Sequence, residues 1–395
     1  MRPFTPFGAA RPQGGGSARI ALRPLVDRCF AARDRLLADP RFRRWAAGFP
    51  LTRPVARRRT RALFDLCAGF VYAQVLYACV QLRLFDILSE GPQTLDGLSR
   101  RMALAPEAAE RLLKAAVALR LAACRGEDRF GLGALGAALV DNPAVTAMIE
   151  HHAHLYADLR DPVTLLRGDR RSTELARYWP YAGAAEPNAL APDQVDAYSA
   201  LMAASQTLIA AEVLDAYPIG RHRCLLDVGG GEGAFLAAAA ARAPNLRLIL
   251  FDLPAVAERA KTRFAAAGLS GRAVAVGGSF LSDPLPEGAD AISLIRIIHD
   301  HDDPAATAIL RAVRRALPVG GTLLLAEPMA GAPGAEPVGD AYFGFYLLAM
   351  GSGRARTPVE LTAMLRAAGF DQIRSEPTRE PLLTGLITAQ AGRWL

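Results

Sequence analysis

Hydrophobic and polar positions alternate differently in the two halves of the chain. From residue 205 onward, short apolar runs alternate with segments in which apolar residues recur every three or four positions. Short runs are typical of buried strands and the longer period of helices, so the pattern predicts an α/β fold with a doubly wound, Rossmann-like parallel sheet. The predicted strands, which end in a closing antiparallel pair, are Cys224–Val228, Leu246–Phe251, Ala273–Val276, Ala289–Ile295, Thr322–Ala326, Asp371–Ser375 and Gly385–Gln390.

The N-terminal half has mainly helical spacing. Two short helices follow Thr94, a predicted N-cap, and residues 121–132 have the strand, glycine turn and strand of a hairpin. Together these elements predict a winged helix. DNA binding is one use of that shape, but the segment is apolar and its second helix carries Glu107 and Glu110. We therefore expect dimerisation or substrate covering, and no nucleic-acid partner.

The positive charge of the chain is concentrated near the N-terminus. Residues 1–60 carry 14 Arg and 3 Asp, a balance of +11, which leaves 32 basic and 36 acidic residues, a balance of −4, for 61–395. Arginines that alternate with apolar residues predict a basic amphipathic helix, which either lies on an anionic membrane or covers a partner subunit. Its apolar residues are Leu36, Leu37, Phe42 and Trp45.

These patterns divide the chain into four predicted parts. A basic arm (1–60) precedes the winged-helix domain (61–145), a helical linker with pocket helices (146–204) and the catalytic domain (205–395). Five cysteines without paired spacing favour a reducing compartment. Leu63–Leu82, interrupted by polar residues, suits a buried helix better than a membrane span. We expect a cytoplasmic protein, with a possible peripheral position at the inner membrane as the open alternative.

A glycine-rich loop after the first predicted strand indicates a nucleotide-type cofactor. Gly229, Gly231 and Ala234 satisfy the dinucleotide pattern G-x-G-x-x-A, and Asp252 is spaced to hold ribose hydroxyls. That signal alone is weak. Asp227, at the strand end, would repel a pyrophosphate but could hold the ammonium group of S-adenosylmethionine.

Further motifs occur in a fixed order along residues 62–395. The chain resembles the class I S-adenosylmethionine-dependent O-methyltransferases of the plant caffeate and animal acetylserotonin type, whose winged-helix domain forms a homodimer. The motifs that carry this resemblance are Asp227-Val-Gly-Gly-Gly-Glu-Gly, Phe251-Asp-Leu-Pro, Gly278-Ser-Phe, Asp283-Pro-Leu-Pro, Arg296-Ile-Ile-His-Asp-His-Asp-Asp, Leu325-Ala-Glu-Pro, Arg356-Thr-Pro-Val-Glu and Ala368-Gly-Phe.

The resemblance implies S-adenosylmethionine as methyl donor, no metal, and a set of cofactor contacts. The glycine loop would line the methionine moiety, Asp252 would bind the ribose, and Ser279 and Phe280 would flank the adenine. The family usually has Asp at Ser279, which puts the contact to the adenine amino group in doubt. Phe280 as plain core and Arg296 as partner of another carboxylate stay open. The full predicted set is Asp227, Gly229, Gly231, Asp252, Leu253, Gly278, Ser279, Phe280 and Arg296.

His299 follows the fourth strand, at the edge of the sheet where such folds bind ligands. The resemblance implies that His299 is the general base and that Glu327, after the fifth strand, orients its ring. The run His299-Asp-His-Asp-Asp could also be a metal site or include a structural histidine. Consecutive loop residues cannot all face one ion, which favours the base. Asp300 is interpreted as a local hydrogen-bonding partner, and His301 replaces a common Trp.

A helix rich in aromatic residues precedes the Arg356 motif, where the family closes over its acceptor. The predicted pocket residues are Tyr198, Met202, Tyr342, Phe343, Tyr346 and Met350. They favour an apolar acceptor, although core or dimer packing would need the same residues. His151, His154 and Asp158 share one helix face. A polar interdomain face, substrate contact and metal binding remain open for them, and the role of His152 is undetermined.

Three stretches give a closer resemblance, to the bacterial 1-hydroxycarotenoid O-methyltransferases. They are the arm through Arg41-Phe-Arg-Arg-Trp, His151-His-Ala-His-Leu-Tyr, and Gly278-Ser-Phe-Leu-Ser-Asp. This implies an acyclic carotenoid acceptor with a tertiary hydroxyl, such as hydroxyneurosporene or demethylspheroidene. The alternatives are another hydrophobic acceptor (a chlorin, polyketide or quinone) and a winged-helix regulator that senses S-adenosylmethionine.

Overall fold

The computed structural model describes residues 16–168, 173–179 and 206–393. By their contacts these residues fall into two compact units, which divide after Val140. The finer four-part division of the chain stays a prediction.

The first unit is helical with a small sheet. Thr94 caps its helix as predicted, because its hydroxyl accepts a hydrogen bond from the Gly97 amide at 3.1 Å. The three strands pair in the order β1-β3-β2, which forms the predicted hairpin and adds a strand to it. The elements are α1 (Gly16–Ala38), α2 (Pro40–Gly48), α3 (Arg53–Gln81), α4 (Leu84–Ser89), β1 (Gln93–Thr94), α5 (Leu95–Arg101), α6 (Pro106–Ala118), β2 (Ala122–Cys124), β3 (Arg129–Leu132) and α7 (Ala134–Ala137).

Helix α3 contradicts the prediction of a buried helix at Leu63–Leu82. Only 11% of its most apolar window is buried, and Phe64, Leu66 and Phe70 are 63%, 81% and 72% exposed. Their spacing places these side chains on more than one face of the helix, and the described residues leave them uncovered. Among the described residues, α3 is the one helix that by length and composition could cross a membrane, a test that core helices also pass.

The second unit is built on a seven-stranded sheet in the order β6-β5-β4-β7-β8-β10-β9, in which β10 is antiparallel to both neighbours. This confirms the predicted doubly wound sheet and its closing pair. Every residue of β4, β7 and β8 is buried, as expected for central parallel strands. The strands are β4 (Cys224–Val228), β5 (Arg247–Asp252), β6 (Ala273–Gly277), β7 (Ala291–Ile295), β8 (Thr322–Glu327), β9 (Phe370–Glu376) and β10 (Gly385–Ala391).

Helices complete this unit. Their bounds are α8 (Pro143–Asp158), α9 (Pro162–Arg167), α10 (Glu174–Tyr178), α11 (which includes residues 206–216), α12 (Ala234–Arg242), α13 (Pro254–Ala266), α14 (Asp303–Ala316), α15 (Gly344–Met350) and α16 (Pro358–Ala367). A π-helix, Pro337–Phe343, runs directly into α15.

The strand order reverses between β4 and β7. From β4 the chain builds outward to β5 and β6, then returns to place β7 on the other side of β4. Such a switch point opens a crevice at the carboxyl ends of the two strands. The glycine loop and the His299 turn both begin at this edge of the sheet.

Candidate active site

The glycine loop follows β4 and is packed too tightly for a side chain at Gly229, Gly230 and Gly233. A Cβ on Gly229 would collide with the side chain of Ile297, and a Cβ on Gly230 would lie 2.5 Å from Asp227 Oδ2. Gly229 also has a φ of +71°, a conformation that favours glycine. Because these positions are glycines, the backbone of the loop can lie directly against residues of β4 and of the turn after β7.

Asp252, the last residue of β5, holds this loop. Its carboxylate accepts hydrogen bonds from the amides of Gly231 and Leu253, each at 2.7 Å. Burial raises the pKa of Asp252 to about 6, against the opposing effect of these two amides. Oxygens with one amide each keep lone pairs that can accept further hydrogen bonds.

Asp227 lies in β4 beneath the loop and is fully buried. Ser293 of β7 donates to Asp227 Oδ1 at 2.6 Å, whereas no described residue hydrogen-bonds Oδ2. Burial, with a smaller effect of Asp252, raises the pKa of Asp227 to about 7, while Ser293 lowers it. A buried carboxylate oxygen without a donor is unusual and would be stabilised by a cationic group.

Ser279 and Phe280 begin the loop after β6. Asp283 accepts from the Ser279 amide at 2.7 Å, and the Ser279 hydroxyl accepts from Leu281 at 3.3 Å. The ring of Phe280 meets that of His301 edge-on at 5.5 Å. Gly278, just before them, has no room for a Cβ because the ring of Phe251 would lie 2.7 Å away.

Arg296 directly follows β7 and has a φ of +59°, a strained value for a residue with a side chain. Its amide still donates to Ala326 of β8 at 2.8 Å, so the sheet pairing continues through the strained residue. The turn that follows brings Ile297 against the glycine loop and His299 toward β8.

His299 and Glu327 are both buried and meet at the carboxyl ends of β7 and β8. His299 Nδ1 lies 2.5 Å from Glu327 Oε2. The other oxygen of Glu327 accepts from the amides of Ile297 and Ile298 at 3.1 and 2.6 Å. One carboxylate therefore fixes both the ring and the backbone of the turn.

The second ring nitrogen of His299 also faces a carboxylate. His299 Nε2 lies 3.0 Å from Asp300 Oδ1. Burial lowers the pKa of His299, but Asp300 and Glu327 outweigh it and hold the pKa above its usual value. The predicted role of Asp300 as a local partner thus has a definite geometry, on the nitrogen that would face an acceptor.

Aromatic residues of the π-helix and α15 form a cluster that begins beside His299. Phe343 meets the ring of His299 edge-on at 5.7 Å. The Tyr342 hydroxyl is hydrogen-bonded to His152 Nε2, and the Tyr346 hydroxyl to His151 Nε2, each at 2.7 Å. Tyr346 and Met350 are buried in a cluster formed by Leu155, Leu165, Leu175, Trp179, Leu347 and Ala349.

The remaining pocket predictions rest on other parts of the chain. Tyr198 and Met202 lie outside the described residues. Burial lowers the pKa of His151, to about 4, and that of His152, so neither is a cation at neutral pH. Asp158 caps α10 through the Glu174 and Leu175 amides, and His154 lies 3.5 Å from Glu174. These contacts favour the interpretation of this surface as a polar helix face over metal binding.

Sequence reasoning did not identify three contributors. Ser293 supports Asp227, Ile297 fills the space above Gly229, and Arg356 binds the backbone of the His299 turn. Ser293 and Ile297 could have been suspected, because they lie in and after a strand next to β4. Across the described ranges no group of three His, Cys, Asp or Glu could hold a metal ion.

The residues at the switch point fit S-adenosylmethionine. Asp252 and the glycine loop offer carboxylate and amide groups at a strand end, and Asp227 Oδ2 is a buried acceptor without a donor among the described residues. A molecule with ribose hydroxyls and an ammonium group matches these two acids, whereas a pyrophosphate would be repelled by them.

Comparisons with known proteins agree with this geometry. An O-methyltransferase domain matches residues 156–371, and an O-methyltransferase dimerisation domain matches residues 64–142. Demethylspheroidene O-methyltransferase of Cereibacter sphaeroides is 44% identical over 355 residues, 90% of this chain and 93% of the relative. The enzyme of the same name from Rhodobacter capsulatus is 41% identical, over 87% of this chain and 85% of its own.

A solved structure, human N-acetylserotonin methyltransferase, has the same fold. It superposes with a TM-score of 0.70 at 24% identity and covers 85% of this chain and 98% of its own. Together with the two matched domains and the two bacterial relatives, this establishes that the chain belongs to the O-methyltransferase family.

Proposed function

We propose that this protein transfers a methyl group from S-adenosylmethionine to the tertiary 1-hydroxyl of an acyclic carotenoid. One observation carries the proposal: a buried His299–Glu327 pair at the switch point, in a chain 44% identical to a demethylspheroidene O-methyltransferase. S-adenosylmethionine supplies a methyl group on a sulfonium sulfur, an excellent leaving group, so the protein must orient the acceptor and remove its proton.

His299 Nε2 is the proton acceptor in this proposal. Glu327 holds the proton on Nδ1, which leaves the lone pair on Nε2, and its negative charge stabilises the imidazolium that forms. Asp300 occupies Nε2 at 3.0 Å, so the acceptor hydroxyl has to displace this carboxylate or share the contact with it. An aliphatic tertiary alcohol is a much weaker acid than a phenol. Proton removal during methyl transfer therefore matters more here.

The cofactor contacts are proposed from the same edge of the sheet. Asp252 and the adjacent Leu253 are assigned to the ribose, and Asp227 with the loop at Gly229 and Gly231 to the methionine end. Gly278, Ser279 and Phe280 are assigned to the adenine and Arg296 to the wall beside it. The positive φ of Arg296 and the close packing of Gly229 support a loop shaped for a ligand.

The acceptor pocket is proposed to begin at Phe343, whose ring lies edge-on to His299. Tyr342 and Tyr346 have their hydroxyls engaged by histidines that are neutral at physiological pH. This wall therefore presents ring surface without net charge, which suits a polyene. Met350, Tyr198 and Met202 remain proposed pocket residues.

The test is methyl transfer from labelled S-adenosylmethionine to a panel of acceptors in detergent. We expect a labelled methyl ether with hydroxyneurosporene and demethylspheroidene, and none with the matched carotenoid that lacks the hydroxyl. Turnover of a chlorin, polyketide or quinone without carotenoid turnover would contradict the acceptor. Absence of turnover with every acceptor, together with specific DNA binding, would support the regulator instead.

We further propose a homodimer that acts in the cytoplasm at the inner membrane surface. The dimerisation domain that begins at residue 64 supports the homodimer, and a second copy would cover the apolar part of α3. The segment before it lies outside both matched domains. It exposes Trp45, which stacks on Phe49 at 5.1 Å, next to Arg41, Arg43 and Arg44. Exposed aromatic and basic residues together suit an anionic bilayer.

A further inference from the structure

The segment between α15 and α16 hydrogen-bonds the backbone carbonyls of the His299 turn. A single 3₁₀ turn leaves most of its carbonyl groups without partners inside the helix; here the His301 amide donates to Ile298 O, at a long 3.4 Å. Here four consecutive carbonyls are satisfied from outside. The donors are Arg356 Nη1 to Ile298 O (2.7 Å), the Arg354 amide to His299 O (2.9 Å), Ser352 Oγ to Asp300 O (2.9 Å) and Arg356 Nη2 to His301 O (2.7 Å).

Arg356 supplies two of these four contacts and is itself buried, with 2% of its surface exposed. Its guanidinium also donates to Asp303 Oδ1 through Nε at 3.0 Å and Nη2 at 2.7 Å. A guanidinium has five donors in a rigid plane, so one side chain can bind the carbonyls on both sides of His299 and a carboxylate at once. A lysine ammonium keeps the charge but cannot span these acceptors.

We infer that Arg356 is a positioning residue, which fixes the turn so that His299 presents Nε2 to the acceptor. Glu327 holds the amide side of the turn through Ile297 and Ile298, and Arg356 holds its carbonyl side. With one side released, the backbone can pivot about the other and displace the ring. A displacement of about 1 Å can cost about a hundredfold in rate. The inference rests on His299 acting as the base in the proposed function.

Arg356→Lys is the informative variant. It preserves the buried charge beside Asp303 but removes the planar guanidinium that binds both carbonyls of the turn. The matched control is Arg314→Lys. Arg314 is also 2% exposed and also donates to backbone carbonyls, those of Gly369, Leu317 and Gly392, away from the His299 turn. Both variants remove a buried guanidinium and should lower the melting temperature, but only one of them loosens the turn.

For Arg356→Lys we expect kcat to fall by about 10- to 100-fold, with the dissociation constant of S-adenosylmethionine unchanged. The acidic limb of the kcat profile should move to lower pH, because a displaced ring loses contact with Asp300 and Glu327, which raise the pKa of His299. Arg314→Lys should leave kcat and the profile unchanged. Equal losses of kcat in the two variants, or a folded Arg356→Lys with unchanged kcat, would overturn the inference.

If Arg356→Lys fails to fold, Arg356→Ala is assayed with added guanidinium ion. Recovery of kcat that saturates with guanidinium supports positioning, and no recovery overturns it. His299→Gln in the same assay distinguishes the general-base role of His299 from the positioning role of Arg356. A His299→Gln enzyme that keeps its kcat refutes the base, whereas an inactive His299→Gln beside a fully active Arg356→Lys refutes only the positioning role.

Discussion

The edge of the sheet around His299 buries polar groups, whereas the region from α1 to α3 exposes apolar ones. Around His299, polar and charged groups are buried and paired with one another: His299 is 4% exposed, Glu327 2%, and both have defined partners. From α1 to α3, apolar groups are exposed, with Trp45 at 53% and Leu66 at 81%. Burying polar groups requires internal partners, whereas exposing large apolar patches implies an external one. The His299 pair has its partners within one chain, whereas the apolar side chains from α1 to α3 are left exposed.

The largest effect on the region around His299 is expected from removing the proposed general base, His299 itself. We expect His299→Gln to lower kcat by about 10²–10⁴, the usual contribution of proton transfer, without changing cofactor affinity. Glu327→Gln should cost less, since it removes the orientation of the ring but not the base. The double variant should lose little more than His299→Gln, because groups that act as a unit are not additive. Near wild-type kcat in His299→Gln with the true acceptor would show that alignment alone suffices.

Removing Asp252 tests the proposed cofactor contacts at the same edge of the sheet. Asp252→Ala should weaken S-adenosylmethionine about a hundredfold, because two hydrogen bonds to a charged group, each worth at least about 1.5 kcal/mol, are lost. The carboxylate also holds the Gly231 amide, so part of the loss would come from a loosened loop. Asp371→Ala, which removes an exposed carboxylate on β9 at the opposite edge of the sheet, is the control. Titration calorimetry that gives unchanged affinity in folded Asp252→Ala would remove Asp252 from the site.

Neutralising the arm tests whether the exposed region has an external partner. Replacing Arg41, Arg43 and Arg44 by Gln should weaken binding to anionic vesicles by about 1 kcal/mol per charge, and the effect should fade in high salt. Cofactor affinity should not change. Replacing three exposed arginines of the second unit, Arg311, Arg315 and Arg366, removes the same charge and is the matched control. Equal vesicle binding by both triple variants at low salt would show that net charge matters and the arm does not.

The two regions also differ in how well the sequence predicted them. Buried parallel strands have near-continuous apolar runs, so β4 was predicted at its observed bounds and β5 to within one residue. The pattern of Leu63–Leu82 is equally apolar, yet composition cannot tell whether the cover comes from the same chain or from another molecule. Contacts such as Arg356 to Ile298 join residues far apart in sequence through loops. Spacing holds no signal for such contacts.

Asp300→Asn gives the smallest expected effect and the most specific test of the sheet edge. His299 faces Asp300, Glu327, the more distant charge of Arg296, and the uncharged ring of Phe343. Asp300 raises the pKa of His299, so its removal should lower that pKa. The base acts only when neutral, and it becomes neutral as the pH rises through this pKa.

The acidic limb of kcat should therefore shift to lower pH in Asp300→Asn, and activity on the acidic side of the limb should rise. At alkaline pH, where His299 is neutral in both enzymes, the two rates should converge. Glu327→Gln is the control for direction, because it should shift the limb the same way and also lower the plateau. A limb that stays in place in Asp300→Asn would mean that Asp300 has left Nε2 once the acceptor is bound. A fall of the plateau alone would give Asp300 a role in binding the acceptor rather than in setting the charge of the base.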